Sequence, residues 1–188
     1  MTGQGKNAID ILLAESLKEL SKSRPLEKIT IKDITDKASV IRPTFYNHFQ
    51  DKFELVEWII STELLAPMHP LIGANMFTEA MVLLFTNIEK EKAFYTNAVR
   101  LEGAVTFHNI AMKCVKEELL NVIEERASGK KSKYLWLSKD VIATYFAQSM
   151  CFVAVEWINQ GMTVPAREMA EAYNYMISHS LEDVLDEM

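Results

Sequence analysis

Apolar residues recur along this chain at spacings of three and four, with no βα alternation and no repeat period, so the pattern is that of helix after helix. Ile9, Leu12, Leu13, Leu17 and Leu20 predict a first helix over 7–23. Ile31, Ile34 and Ala38 fall at i, i+3 and i+7, which gives a two-turn helix one narrow buried stripe and leaves Lys32, Asp33, Asp36 and Lys37 in water. A helix that short must pack on a neighbour. Further helices are predicted over 42–49 and 51–66, the second stopped by Pro67 and Pro70, then near 76–91, 93–99 and 103–127. After a break at SGKKSK (128–133), two more follow at 134–160 and 165–185, with Gly161 as a C-terminal stop and Pro165 in a first turn. The expected fold class is all-α, with about nine helices.

Residues 28–58, KITIKDITDKASVIRPTFYNHFQDKFELVEW, carry the most specific local chemistry. Thr30 is placed to accept the amide of Asp33, and Asp33 to return its carboxylate, a shortened capping box flanked by the staple positions Ile29 and Ile34. In the next helix Phe45 and Phe49, four apart, form an apolar anchor, whereas Thr44, Asn47 and His48 share another side. Arg42, Thr44, Asn47 and His48 suit base edges in a major groove. Tyr46 and Lys52 suit phosphate oxygens, Lys52 because Asp51 reads as a second cap, with Glu54 three residues on.

This stretch resembles the N-terminal domain of the TetR family of bacterial transcription regulators, through the T-F-Y-x-H-F core at 44–49, the Lys52 that follows and the I-T-I-K-D-I opening. The resemblance implies a three-helix, helix-turn-helix DNA-binding domain over 1–52 and a larger helical effector-binding and dimerisation domain over 53–188. Its DNA-facing set is then Thr30, Arg42, Pro43, Thr44, Tyr46, Asn47, His48 and Lys52. His48 has a second reading, a hydrogen bond from the recognition helix to a neighbouring helix. Ser39 stands where relatives carry Gly in the turn, and a residue with a Cβ there pays a steric cost if φ is positive. Ile41 replaces a capping Ser, and Pro43 disfavours helical angles at Arg42, so the recognition helix is expected to start a residue late.

Charge sharpens the division. The chain carries −6 overall, but the head up to Lys52 is +2 and the remainder −8, an asymmetry that points the head at DNA. Residues 1–8 are polar, and the longest unbroken apolar run is Met150 to Val155, short of a membrane span, so a cytoplasmic protein is expected. Cys114 and Cys151 form no C-x-x-C pair and read as buried thiols, with a redox pair as the alternative. His48, His69, His108 and His179 lack metal-ligand spacing, and the six glycines supply neither a nucleophile elbow nor a P-loop. Neither a metal, a cofactor nor an enzymatic activity is expected.

Between Val141 and Ile158, apolar residues cover more than one helix face, and 165–185 adds Met169, Tyr173, Met176, Ile177 and Leu181. A second apolar face predicts a homodimer through 134–160 and 165–185, whose symmetry would match a pseudopalindromic double-stranded DNA operator. The resemblance further implies a cavity among the middle helices and a hinge near Trp58 and Glu63. Candidate effector contacts are Trp58, Tyr95, Arg100, His108, Trp136, Tyr145 and Gln148, with Tyr145 and Gln148 placed first because they sit on a helix expected to be buried. The effector is expected to be a small molecule, with a protein partner as the alternative.

Overall fold

Leu13, Ala14 and Leu17 are fully buried on one side of α1 (Ala8–Ser21); of the rest of the expected stripe, Ile9 and Leu20 are half-buried and Leu12 is exposed. The computed structural model describes residues 8–130 and 132–187; Asn7, the expected first residue of this helix, lies outside them. A 3₁₀ turn (Leu26–Lys28) leads to α2 (Ile31–Lys37), which packs on α1. The capping box forms as expected: Asp33 N donates to Thr30 Oγ1 at 3.2 Å, and Thr30 N donates to Asp33 Oδ2 at 2.8 Å. Ile29 and Ile34 are both buried beside it.

The turn after α2 places Ser39 at φ 55°, the left-handed region that the missing glycine would have occupied without strain. The recognition helix α3 (Arg42–Tyr46) begins at Arg42, not a residue late, and ends short of the expected Phe49, with Asn47 as its C-cap. Pro43 falls in its first turn, where the absent N–H has no intrahelical partner to lose. Phe45 and Phe49 are buried with ring centroids 5.9 Å apart, anchoring α3 by burial worth roughly 1.5–3 kcal/mol per side chain.

Asp51 caps α4 (Lys52–Ile59), accepting from Phe53 N at 2.7 Å and Glu54 N at 2.9 Å. The two prolines do not stop this helix where expected; they deform it. It runs on as a π turn (Ile60–Leu65), a 3₁₀ turn (Ala66–Met68) and a short α5 (His69–Gly73). The cause is the missing amide of Pro67, which in a regular helix would reach the Glu63 carbonyl. Ala66 N bonds Ser61 O in its π register instead, and Asn87 Nδ2 serves the Glu63 carbonyl at 3.4 Å.

The body continues with α6 (Phe77–Lys90), α7 (Lys92–Ala98), α8 (Phe107–Ala127), α9 (Lys139–Asn159), α10 (Ala166–Ser178) and α11 (Leu181–Asp186); no strand occurs among the described residues. α8 packs along α9 and α10 along α6, with Phe85 edge-on to Trp157 at 5.3 Å. Three boundaries move from their expected places for local reasons. Thr106 caps α8 after Gly103 at φ 109°, so that helix starts later than 103. Ser138 caps α9, which leaves Tyr134, Leu135 and Trp136 in an exposed loop. Ser180 and Asp183 form a capping box that splits the expected 165–185 helix in two. α9 is also long and apolar enough by composition to cross a membrane, contrary to the short-run expectation, but one side of it is packed into the bundle as a core helix would be.

Candidate functional site

α3 presents two unlike sides. Phe45 and Phe49 face the core, while Arg42, Pro43, Tyr46 and Asn47 are exposed and Thr44 is half-buried. Thr30 is exposed at the start of α2, its hydroxyl donating to Asp33 Oδ2 at 2.6 Å as part of the cap. An exposed arginine and tyrosine and a half-buried threonine on one short helix, with an exposed asparagine at its C-cap, form a donor-rich surface able to meet base edges and phosphates.

Two residues of the expected DNA-facing set have other partners. Lys52 Nζ donates to the carbonyls of Leu26, Glu27 and Ile29 at 2.9, 2.8 and 2.9 Å. All three ammonium protons are thereby engaged, and the group ties α4 to the turn before α2. Burial is the main cause that lowers its pKa from the ordinary lysine value. His48 Nδ1 lies 2.7 Å from Asp10 Oδ1 on α1, the second reading given to it from sequence. It joins the end of the recognition segment to the helix behind it.

The head is also fastened to the body. Lys18 on α1 is buried among Glu15, Glu63 and Glu91 at 2.6, 2.9 and 3.3 Å. Burial by itself would lower its pKa, but the hydrogen bonds and charges of these carboxylates outweigh it and hold the ammonium above the usual lysine range. Asn97 Nδ2 donates to the Ser21 carbonyl, and Glu102 N to Glu27 Oε1 at 2.9 Å. Apart from Lys18–Glu15, which are one helical turn apart, sequence patterning could not find these contacts, because they join residues far apart in the chain.

Within the body an apolar cavity of about 220 Å³ lies among α5, α6, α8, α9 and α10, lined by Met68, Met81, Leu119, Met150 and Tyr173, with Glu118 and Asn174 as its polar members. Leu65 and Met68 bring the deformed end of α4 to its wall. None of the expected effector contacts lines it. Trp58 is buried against Phe49, 6.3 Å between rings, and so belongs to the packing behind the recognition helix. Tyr95 is fully buried beside a separate apolar space of about 40 Å³ with Phe107 and Cys151, and burial drives its hydroxyl pKa up. Arg100 is at the surface in a groove between head and body, and His108 is exposed on α8. Tyr145 and Gln148 project outward with Phe152 at i, i+3 and i+7 on the solvent side of α9, and Trp136 is exposed in the preceding loop. The signal for Glu118 was its place at i+3 from Val115 with Leu119 and Val122 beyond, a carboxylate on an apolar stripe.

Both cysteines are buried free thiols, burial raising Cys114 to about 11 and Cys151 to about 12, which keeps them protonated and unreactive.

A helix-turn-helix head on an all-helical body is the architecture of a class of bacterial transcription regulators. Residues 14–59 match the family described as bacterial regulatory proteins, tetR family, and residues 75–179 match that described as a transcriptional regulator C-terminal region. The chain belongs to the TetR family of transcriptional regulators. It is 27% identical over 152 residues to the HTH-type dhaKLM operon transcriptional activator DhaS of Lactococcus lactis subsp. lactis (strain IL1403), covering 80% of this chain and 79% of that protein. Among solved structures, the dihydroxyacetone kinase operon activator DhaS superposes with a TM-score of 0.63 at 21% identity, over 90% of this chain and 93% of that one. FadR of Thermus thermophilus, a TetR-family repressor in complex with lauroyl-CoA, gives 0.61 at 14% identity, over 92% and 94%. These two structural likenesses are of fold.

Proposed function

We propose that this regulator acts in the cytoplasm as a homodimer on a pseudopalindromic operator, with residues 1–52 as the DNA-binding head and 53–188 as the effector and dimerisation body. The observation that carries the reading is the two-sided recognition helix, core-anchored by Phe45 and Phe49 and exposing Arg42, Tyr46 and Asn47. Arg42, Thr44 and Asn47 meet base edges, while Thr30, Pro43 and Tyr46 lie against the backbone. His48 and Lys52 hold this surface in place from behind.

Dimerisation is supported by outward apolar residues on the last helices, Tyr145 and Phe152 on α9 and Met176, Ile177, Leu181 and Leu185 on α10 and α11, all of them exposed. Large apolar side chains left in water at this density mark a surface for association. Control by an effector is supported by the cavity that the deformed end of α4 helps to wall.

The test is selection of bound genomic fragments followed by fluorescence anisotropy over a range of salt. Asn47→Ala should cost roughly 1–3 kcal/mol on the selected operator and leave random duplex binding unchanged. Equal losses on both would remove Asn47 from the reading surface. A protein that remains monomeric by light scattering while binding its operator would overturn the dimer.

A further inference from the structure

The cavity in the body carries two polar groups with hydrogen-bonding capacity to spare. Asn174 Nδ2 is buried without an acceptor, and Glu118 Oε1 is buried with His69 Nε2 as its ion-pair contact, which leaves the carboxylate lone pairs free to accept again. Both belong to the cavity wall, Glu118 from α8 and Asn174 from α10, and the rest of that wall is almost wholly apolar. Buried polar groups in folded proteins are nearly always paired, so an unpaired donor and a carboxylate with lone pairs to spare on one cavity wall call for a molecule that both accepts and donates.

The charge balance narrows that molecule. His69 Nε2 already stands beside Glu118 Oε1, so the carboxylate has a partner of its own within the protein. Burial is the main influence on Glu118 and raises its carboxyl pKa, with the His69 charge opposing, so the site resists a second negative charge. A carboxylate ligand would bring one. An ammonium ligand would satisfy Glu118 but offer nothing for Asn174 Nδ2 to donate to, whereas a hydroxyl both donates and accepts. The volume, about 220 Å³, is small for a ligand site, where roughly 300–1,000 Å³ is usual.

We propose that the cavity takes a compact, neutral, apolar molecule bearing a hydroxyl, which donates to Glu118 and accepts from Asn174 Nδ2. This rests on the reading of the body as an effector domain. It separates the site from one built for an acidic ligand, and it places the bound molecule against Leu65 and Met68, the segment that leads back to the head.

Titration calorimetry on the full-length protein with 1-hexanol, hexylammonium and hexanoate provides the test. Hexanol should bind roughly tenfold tighter than either charged analogue, the value of about one good hydrogen bond. Asn174→Leu and Glu118→Leu should each abolish that preference, and Glu118→Gln, which keeps an acceptor, should retain it. Hexylammonium or hexanoate binding as tightly as hexanol would overturn the ligand class and leave the effector-site reading standing. Failure of all three to bind protein that holds its operator would overturn both.

Discussion

Lys18 Nζ stands 2.9 Å from Glu63 Oε2, joining the first helix of the head to the π turn at the end of α4. Glu63 sits on a turn whose next residues, Leu65 and Met68, wall the body cavity, so one short segment touches both the cavity and the head. Removing the cation leaves Glu15, Glu63 and Glu91 facing one another without compensation. Lys18→Met should therefore lower stability by about 2 kcal/mol in urea denaturation, less than for a fully buried pair because these carboxylates reach water. Glu63→Gln should cost less, since two carboxylates remain on the ammonium. An unchanged midpoint for Lys18→Met would mean that the cluster is solvated and holds nothing together.

Lys52 separates holding DNA from holding the head together. Its ammonium serves three backbone carbonyls, so Lys52→Ala should leave those acceptors unpaired and destabilise the fold by roughly 1–3 kcal/mol. The slope of operator affinity against salt should stay unchanged, because no phosphate contact is lost. A slope shallower by about 1 would instead assign the lysine to a phosphate.

What was legible in the sequence was what is decided locally. The Thr30–Asp33 cap and the Asp51 cap join residues two or three apart, and the Phe45 and Phe49 anchor joins residues four apart, distances over which helical geometry leaves little freedom. Glu15 aside, the partners of Lys52 and Lys18 lie 23 to 73 residues away and were invisible to spacing. Tyr145 and Gln148 were misplaced for a different reason. α9 is apolar on more than one side, and periodicity cannot say which side meets its own core. Pro67 and Pro70 announced a break, but whether the helix ends or shifts register depends on Asn87 reaching the freed carbonyl from α6.

Acid should loosen the cap of α2. Asp33 is held down to about 2, chiefly by the hydrogen bonds from the Thr30 hydroxyl and backbone amide, with Arg24 assisting. An unfolded aspartate titrates near about 3.9, so this group binds fewer protons folded than unfolded through that interval. Its contribution is fully present above about pH 4 and is lost as pH falls toward about 2. Asp33→Asn should flatten the pH dependence of stability within that window and leave it unchanged near neutrality. Identical acid titration curves for the two proteins would exclude the cap as a source of the acid sensitivity.

Ser39 offers a stabilising change in the turn between α2 and α3. Its φ of 55° puts a Cβ-bearing residue in the left-handed region, at a cost of roughly 1–2 kcal/mol that glycine does not bear. Glycine also gains more freedom in the unfolded chain, which offsets part of the relief. Ser39→Gly should therefore raise stability by up to about 1 kcal/mol, read as a higher urea midpoint at unchanged slope. The turn sits between α2 and α3, and the Ser39 amide donates to the Asp36 carbonyl at 3.2 Å, a backbone bond that glycine can also make, so the exposed side of α3 should keep its position. Operator affinity should then stay within about twofold of the parent protein, since no base-facing group is altered. A destabilised variant would show that the serine side chain contributes more to the turn than its backbone strain removes.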